Sequence, residues 1–460
     1  MIPMMLSRLC QQLDARLVGK DWAANERQIR SLSSDSRNLG PECLFVALKG
    51  ERFDGHDFAA TAMANGASAL LVERELPLAL PQILVPDCQR AMGAIGAYVR
   101  DSVAPRCVAL TGSNGKTSVK EMIATILSQH ARVLYTAGNF NNEIGVPLTL
   151  LRLTPGDEFG VFELGANHKG EIDYTSSLVK PEVALVNNIG DAHLEGFGSK
   201  AGVAEAKAEI FNHLQPMGTA VINADDEFAA LMRTQAKAYR QLDFGMATPA
   251  AVMATALSAD AEGRYSFTLE YDGQSVAVSL PLAGRHQVGN ALAATCVCLA
   301  LGLSLAQIVT GLALLQPVKG RMLPHRLGRV LLVDDSYNAN PSSVGVAIDW
   351  LREMSGHRCL VLGDLAELGD NAPLLHSELG LLAKRRGIEA LFCVGRLSRD
   401  TSLAFGAEHN HSMDELLGKL IKHINQLPGQ VTVLVKGSRS AAMERVVEAL
   451  TVAFERGELV

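Results

Sequence analysis

At 460 residues the chain exceeds what one hydrophobic core supports, so two or three domains are expected. Hydrophobic residues make up 48% and charged residues 20%, which excludes a disordered chain, and a net charge of -7 provides no basic footprint for nucleic acid or an anionic membrane. The eight cysteines never form C-x-x-C and most sit in apolar runs such as CLFVAL and CVALTG, which points to core thiols in a reducing compartment, the cytoplasm.

The opening MIPMMLSRLCQQ lacks a basic region, a long apolar run and a small-residue cleavage site, so no export signal is expected. Up to about residue 100, short strand-like runs (CLFVAL, ALLV, ILV) among Gly, Pro and Asp predict a small mixed α/β unit suited to recognition. From Pro105, strand and helix patterns alternate: CVALTG, SVKEMIATILSQH, RVLYT, GVFEL, EVALVN, GTAVIN. That alternation predicts a parallel sheet covered by helices. YSFTLEY and SVAVSL around a DG turn predict an antiparallel edge insertion. Asn290 to Gln316 carries no charge and is long enough to span a bilayer, but Gly302 interrupts it and Ser304 with Gln307 forms a capping-box start. Two short buried helices are therefore expected, and no transmembrane segment. Near Arg321 a third unit begins, with RVLLVDD, CLVLGD, ALFCVG and VTVLVKG separated by helical segments, the pattern of a doubly wound fold.

Gly112-Ser113-Asn114-Gly115-Lys116-Thr117-Ser118 follows the apolar strand CVAL and opens a helix. Backbone N–H groups at a helix start bind phosphate oxygens, a lysine adds a point charge on the terminal phosphates, and the Thr117 hydroxyl suits magnesium. A full-length G-x-x-x-x-G-K-[ST] loop would need glycine at Leu110, so this is the short form. Glu163 ends a central strand and supplies a hard acidic ligand, and His193 follows the next strand at the same edge. Lys207 shares a helix face with Val203, Ala204, Ile210 and Phe211, while Glu205 and Glu209 take the solvated side. Such a lysine is paired, modified or snorkels to the surface, and the residues alone leave these open. They also leave open a nucleotide-driven switch, with VLLVDD as the acidic strand.

Taken in order, TGSNGKTS, GNFNNEIGVP, ELGANHKGEI, NNIGDAHLEGFGS, EAKAEIF, GRHQVGNALAA and DDSYNANP resemble the Mur ligases along essentially the whole chain. FVALKGERFDGHDF, VLGDLAELG and VKGSRSAAMERVV are most similar to members that add D-alanyl-D-alanine to UDP-N-acetylmuramoyl-tripeptide, and the D-N-P-R signature of the diamino-acid-adding relatives is absent. A folylpolyglutamate-synthase-like ligase would share the phosphate loop but lack the N-terminal module. The resemblance implies an α/β protein of three domains: a UDP-substrate domain over 1–104, a P-loop ATPase domain over 105–320 and a C-terminal Rossmann-like domain over 321–460. It implies the use of ATP and two magnesium ions to form an amide through an acyl phosphate, and nothing in the sequence demands more than a monomer. Thr117 and Glu163 would bind one ion; His193 and Lys207, the latter as a carbamate, would bind the other. Asn290 would meet adenine, Arg321 the phosphates and Asp335 the ribose. Ser33, Ser34, Asp35, Ser36, Arg37, Lys49 and Gly50 resemble uridine-diphosphate contacts. Asn139 and Asn142 would position the muramoyl-peptide end. Apart from the resemblance, Asn338 in the loop after a strand's carboxyl end suits ribose or substrate binding, and Lys436, Ser438 and Arg439 of VKGSRS are candidates for selecting the dipeptide.

Overall fold

The computed structural model describes residues 1–19, 27–50, 52–191 and 194–459, residue 194 by its backbone alone. The N-terminal strands are β1 (Met4–Met5), β2 (Arg16–Val18), β3 (Gln28–Ile29), β4 (Ser31–Ser33), β5 (Cys43–Val46), β6 (Ala69–Val72) and β7 (Gln82–Leu84). Five of them form one sheet in the order β2-β7-β6-β5-β4, and β1 pairs with β3. Only β2 runs antiparallel in the five-stranded sheet. The mixed α/β unit read from the short apolar runs is present.

The central strands are β8 (Arg106–Thr111), β9 (Val133–Tyr135), β10 (Phe159–Glu163), β11 (Val183–Val186), β12 (Thr219–Asn223), β13 (Arg240–Gly245), β14 (Val252–Ala259), β15 (Arg264–Tyr271) and β16 (Gln274–Ala283). They make a nine-stranded sheet, β16-β15-β14-β13-β12-β11-β8-β10-β9. Period-2 alternation deals its side chains to two cores. Val108, Leu110, Val183 and Leu185 pack under the helices Lys116–Ser128, His286–Ala300 and Leu305–Ala313. Cys107, Ala109, Ala184 and Val186 face a core shared with the helices Cys88–Val103, Glu171–Val179 and Lys200–Ala208. Strands buried on both faces explain the uninterrupted apolar runs. The antiparallel β14–β16 meander turns at Asp272 and Gly273, both with left-handed φ (48° and 72°), as the DG pair predicts. Ser304 and Gln307 form the expected capping box. Among the described residues no helix is long and apolar enough to cross a membrane.

The third sheet contains β17 (Leu323–Leu327), β18 (Val330–Asp335), β19 (His357–Gly363), β20 (Ala390–Val394) and β21 (Val431–Lys436), ordered β17-β18-β21-β19-β20 with only β17 antiparallel. Helices Pro341–Glu353 and Ala372–Arg385 cover one face, Met413–Gln426 and Glu444–Glu455 the other. This is the doubly wound arrangement expected after Arg321. The meander bears on this unit: Tyr265 donates to Glu353 at 2.7 Å and Arg326 pairs with Glu262 at 3.2 Å.

Candidate active site

The loop after β8 enters the Lys116–Ser128 helix through Gly115, whose φ is +77°. A Cβ there would lie 2.5 Å from Asn290 Oδ1 and 2.8 Å from Asn187 Nδ2, so both the backbone angle and the space demand glycine. Polar groups hold the loop from behind. Asn114 N donates to Asn188 Oδ1 at 2.8 Å, and Asn187 Nδ2 donates to Asn114 O and to Asn290 Oδ1, each at 3.0 Å. Ser113 Oγ donates to Gly190 O at 3.1 Å and accepts from Gly190 N at 2.8 Å. The first N–H groups of the helix, around Lys116, Thr117 and Ser118, have no intrahelical acceptor, an arrangement that suits an anion.

Lys116 Nζ donates to Gly112 O at 2.7 Å. Burial lowers its basicity, the Glu163 carboxylate opposes that shift, and the Arg321 guanidinium adds to it. Thr117 Oγ1 donates to Glu163 Oε2 at 3.1 Å, while Asn141 Nδ2 donates to Glu163 Oε1 at 2.8 Å. Glu163, only 2% exposed at the end of β10, is thus oriented through both oxygens. Lys207 is 1% exposed, and Val203, Ala204, Ile210 and Phe211 around it are buried, as the helical spacing predicts. Burial drives its basicity well down, and Lys116 drives it further. Among the described residues no carboxylate pairs with it. Glu205 is solvated and paired with Lys169, but Glu209 departs from the expected pattern: its carboxylate accepts from Gly170 N and Asp173 N at 2.8 and 3.1 Å, capping the Glu171–Val179 helix. His193 lies outside the described residues.

The C-terminal unit reaches the same loop. Asn340 Nδ2 donates to Asn114 Oδ1 at 2.8 Å, and Asn114 Nδ2 donates to Ser342 Oγ at 2.7 Å. Arg321 stacks on Tyr337, 4.3 Å from the ring centroid, and its guanidinium lies 3.4 Å from Thr117 Oγ1. Several side chains expected to touch ligands have protein partners in this structure. Asn290 Oδ1 accepts from Asn187 and its Nδ2 donates to Gln287, so it braces the loop from behind. Asp335 accepts from Met322 N through Oδ1 and, at 2.5 Å, from Lys436 Nζ through Oδ2. Ser438 Oγ accepts from Ala366 N and donates to Ala339 O, clasping two loops. Arg439 is exposed and paired with Glu444, and Asn338 is exposed with its Oδ1 accepting from Ala339 N and Arg439 N.

In the N-terminal sheet β4 and β5 are parallel neighbours, so residues 34–38 and 47–50 leave from one edge. Ser33 Oγ donates to Asp35 O and Asn38 O, and Arg37 grips Asp35 through two hydrogen bonds of 2.9 and 3.0 Å, holding that carboxyl down at about 2. Ser34, Arg37, Lys49 and Gly50 are exposed, whereas Ser36 is buried with its carbonyl bound by Asn65. Asn139 is exposed, and Asn142 Oδ1 accepts from Gly145 N at 2.8 Å at the start of the Gly145–Leu150 helix. The sequence reading missed Asn141; the asparagine-rich run NFNN was the available signal.

Family models match in three blocks: "Mur ligase family, catalytic domain" over 28–130, "Mur ligase middle domain" over 110–298 and "Mur ligase, glutamate ligase domain" over 320–439. The UDP-N-acetylmuramoyl-tripeptide--D-alanyl-D-alanine ligase of Escherichia coli (strain K12) is 49% identical over 98% of this chain and 99% of its own. A crystal structure of MurF from Acinetobacter baumannii superposes with a TM-score of 0.93 at 38% identity, covering 98% of this chain and 99% of that one. MurF from Thermotoga maritima, solved in complex with ADP, gives a TM-score of 0.84 at 29% identity over 93% and 98%. With three family blocks spanning 28–439 and relatives matched along their full length, this chain belongs to the Mur ligase family.

Proposed function

We infer that this chain is an ATP-dependent ligase joining D-alanyl-D-alanine to UDP-N-acetylmuramoyl-tripeptide, giving UDP-N-acetylmuramoyl-pentapeptide, ADP and phosphate for peptidoglycan synthesis. The observation that carries this reading is convergence: phosphate loop, acidic strand end and C-terminal clasp meet at Asn114 and Thr117, in a chain 49% identical along its length to a ligase of that name. We assign residues 1–104 to the UDP substrate, 105–320 to ATP and 321–460 to the incoming amine. The eight cysteines, all free, suit a reducing, ATP-containing compartment, the cytoplasm.

A carboxylate is a poor acyl donor, so the tripeptide carboxylate first attacks the γ-phosphoryl group of ATP; an O–P bond forms and ADP leaves. The helix start at Lys116–Ser128 and the Lys116 ammonium hold the phosphates, and Arg321 reaches them from the third unit. The dipeptide amine then attacks the acyl carbon, phosphate leaves and the amine proton is released. Closure of the third unit over the loop, through Asn340 and Ser342, keeps water from the acyl phosphate. The exposed loops at the β4–β5 edge, with Ser33, Ser34, Asp35, Ser36, Arg37, Lys49 and Gly50, receive the uridine diphosphate, and the loop carrying Asn139 and Asn142 faces the peptide end.

The Thr117 hydroxyl and Glu163 carboxylate, 3.1 Å apart, are hard oxygen donors that fit magnesium, and His193 with Lys207 is assigned to a second ion. Bound there, magnesium offsets the charge that builds on the transferring phosphoryl group. Lys207 fits a carbamate: burial favours the neutral amine, which adds to CO2 with formation of an N–C bond and loss of a proton. A carbonyl resonance from 13C-bicarbonate, present in the protein and missing in Lys207→Arg, tests this; its absence from both removes the carbamate.

The decisive assay measures phosphate release from Mg-ATP and UDP-N-acetylmuramoyl-tripeptide with D-alanyl-D-alanine added or withheld, with products identified by mass. Dipeptide-dependent release with a pentapeptide product is expected. Release indifferent to both substrates would overturn the ligase reading and favour a nucleotide-driven switch.

A further inference from the structure

Lys120 is a buried charge for which the proposed chemistry gives no role. It lies one helical turn beyond Lys116, is 1% exposed, and donates to Thr136 O at 2.7 Å, with Glu121 at 3.0 Å and the Tyr135 ring centroid at 5.6 Å. A buried ammonium is retained at a cost unless it orders something, so what it orders is informative.

It orders Thr136. That residue, fully buried just past β9, is fixed on three sides: its N–H donates to Val161 O at 3.0 Å, its Oγ1 accepts from Glu163 N at 3.0 Å, and its carbonyl accepts from Lys120. The chain then leaves the sheet, turns at Gly138 with φ +51°, and returns with Asn141 on Glu163 Oε1. Asn141 O also accepts from Gly165 N at 2.8 Å, closing the loop against the residues after β10. Both Glu163 contacts on this side, backbone and carboxylate, therefore depend on a segment whose base is held by Lys120. The same helix carries Thr117, the partner of Glu163 Oε2.

We propose that Lys120 is a positioning residue: through Thr136 it ties the phosphate-binding helix to the 136–142 loop, so that Thr117 and Asn141 present the Glu163 carboxylate in one fixed orientation for the nucleotide-bound divalent cation. The proposal rests on the ATP-ligase reading for its relevance, but its test does not need the peptide substrates. Mn2+ binding to the protein with ADP is followed by electron paramagnetic resonance, alongside metal-free ADP binding and thermal unfolding. Lys120→Met is expected to weaken Mn2+ binding at saturating ADP at least tenfold, with ADP binding without metal changed less than threefold. Lys120→Arg is expected to restore Mn2+ binding to within threefold of the unaltered protein. Thr136→Val keeps the carbonyl for Lys120 but removes the acceptor for Glu163 N, and should give the same Mn2+ defect even if Lys120→Met fails to fold. A lowered unfolding temperature with unchanged Mn2+ binding in either variant would overturn the proposal. Failure of the unaltered protein to release phosphate with the dipeptide would instead strike the ligase reading and leave the Mn2+ result standing.

Discussion

Gly115→Ala probes the loop most directly, because the structure names what the added methyl meets. The residue sits at φ +77°, which costs a non-glycine residue roughly 1–2 kcal/mol. The new Cβ would fall 2.5 Å from Asn290 Oδ1 and 2.8 Å from Asn187 Nδ2, parting a buried hydrogen bond worth about 1–3 kcal/mol once its groups are left unmet. Together about 3 kcal/mol is placed on the phosphate-binding shape of the loop, equivalent to roughly a hundredfold weaker ADP binding. Titration calorimetry with ADP measures this, with circular dichroism showing that the fold is retained. Asn290→Ala in the Gly115→Ala background removes the obstructing amide and should recover about tenfold, a coupling that independent sites would not give. ADP affinity within twofold of the unaltered protein for Gly115→Ala would refute the steric reasoning.

Glu163→Gln keeps the shape but removes the anion, and should lower phosphate release roughly a hundredfold while leaving metal-free ADP binding within twofold; equal loss of both would mean that Glu163 is structural. Lys436→Met strands the Asp335 carboxylate in a buried site and should cost about 3–5 kcal/mol in urea unfolding, with Asp335→Asn added to it recovering at least half; additive losses would exclude a coupled pair. His286 has its pKa pushed down to about 4, chiefly by burial, against 6.5 for a free imidazole. The unfolded chain therefore binds the proton first as pH falls, so stability is full above pH 6.5 and drops by up to about 3 kcal/mol toward pH 4. The stability difference between the protein and His286→Gln should shrink over that window, and a constant difference would contradict the shift.

The architecture was readable because its grammar is local: strands buried on both faces are unbroken apolar runs, and the Ser304–Gln307 box and the Asp272–Gly273 turn announce themselves within four residues. Gly115, Lys116 and Thr117 were legible for the same reason, and the apolar surroundings of Lys207 followed from helical spacing. Pairings across long separations were not. Asp335 meets Lys436 from 101 positions away and Asn114 meets Ser342 from 228, so the protein partners of these polar residues are set by the fold and not by neighbouring sequence. Lys120 was unremarkable in SVKEMIATIL, since only the neighbouring strand turns its amine inward onto Thr136.

Asn114 belongs to the nucleotide loop by sequence, yet its side chain is bound only by Asn340 and Ser342 of the third unit among the described residues. Loop shape and docking of that unit are thus two readings of one equilibrium, and linkage makes their influence reciprocal. Two hydrogen bonds at about 1 kcal/mol each correspond to roughly thirtyfold. Whatever factor docking lends to phosphate affinity, bound phosphate must return to docking. Nucleotide binding and docking of the third unit are therefore coupled, in equal measure in both directions, through a single amide side chain.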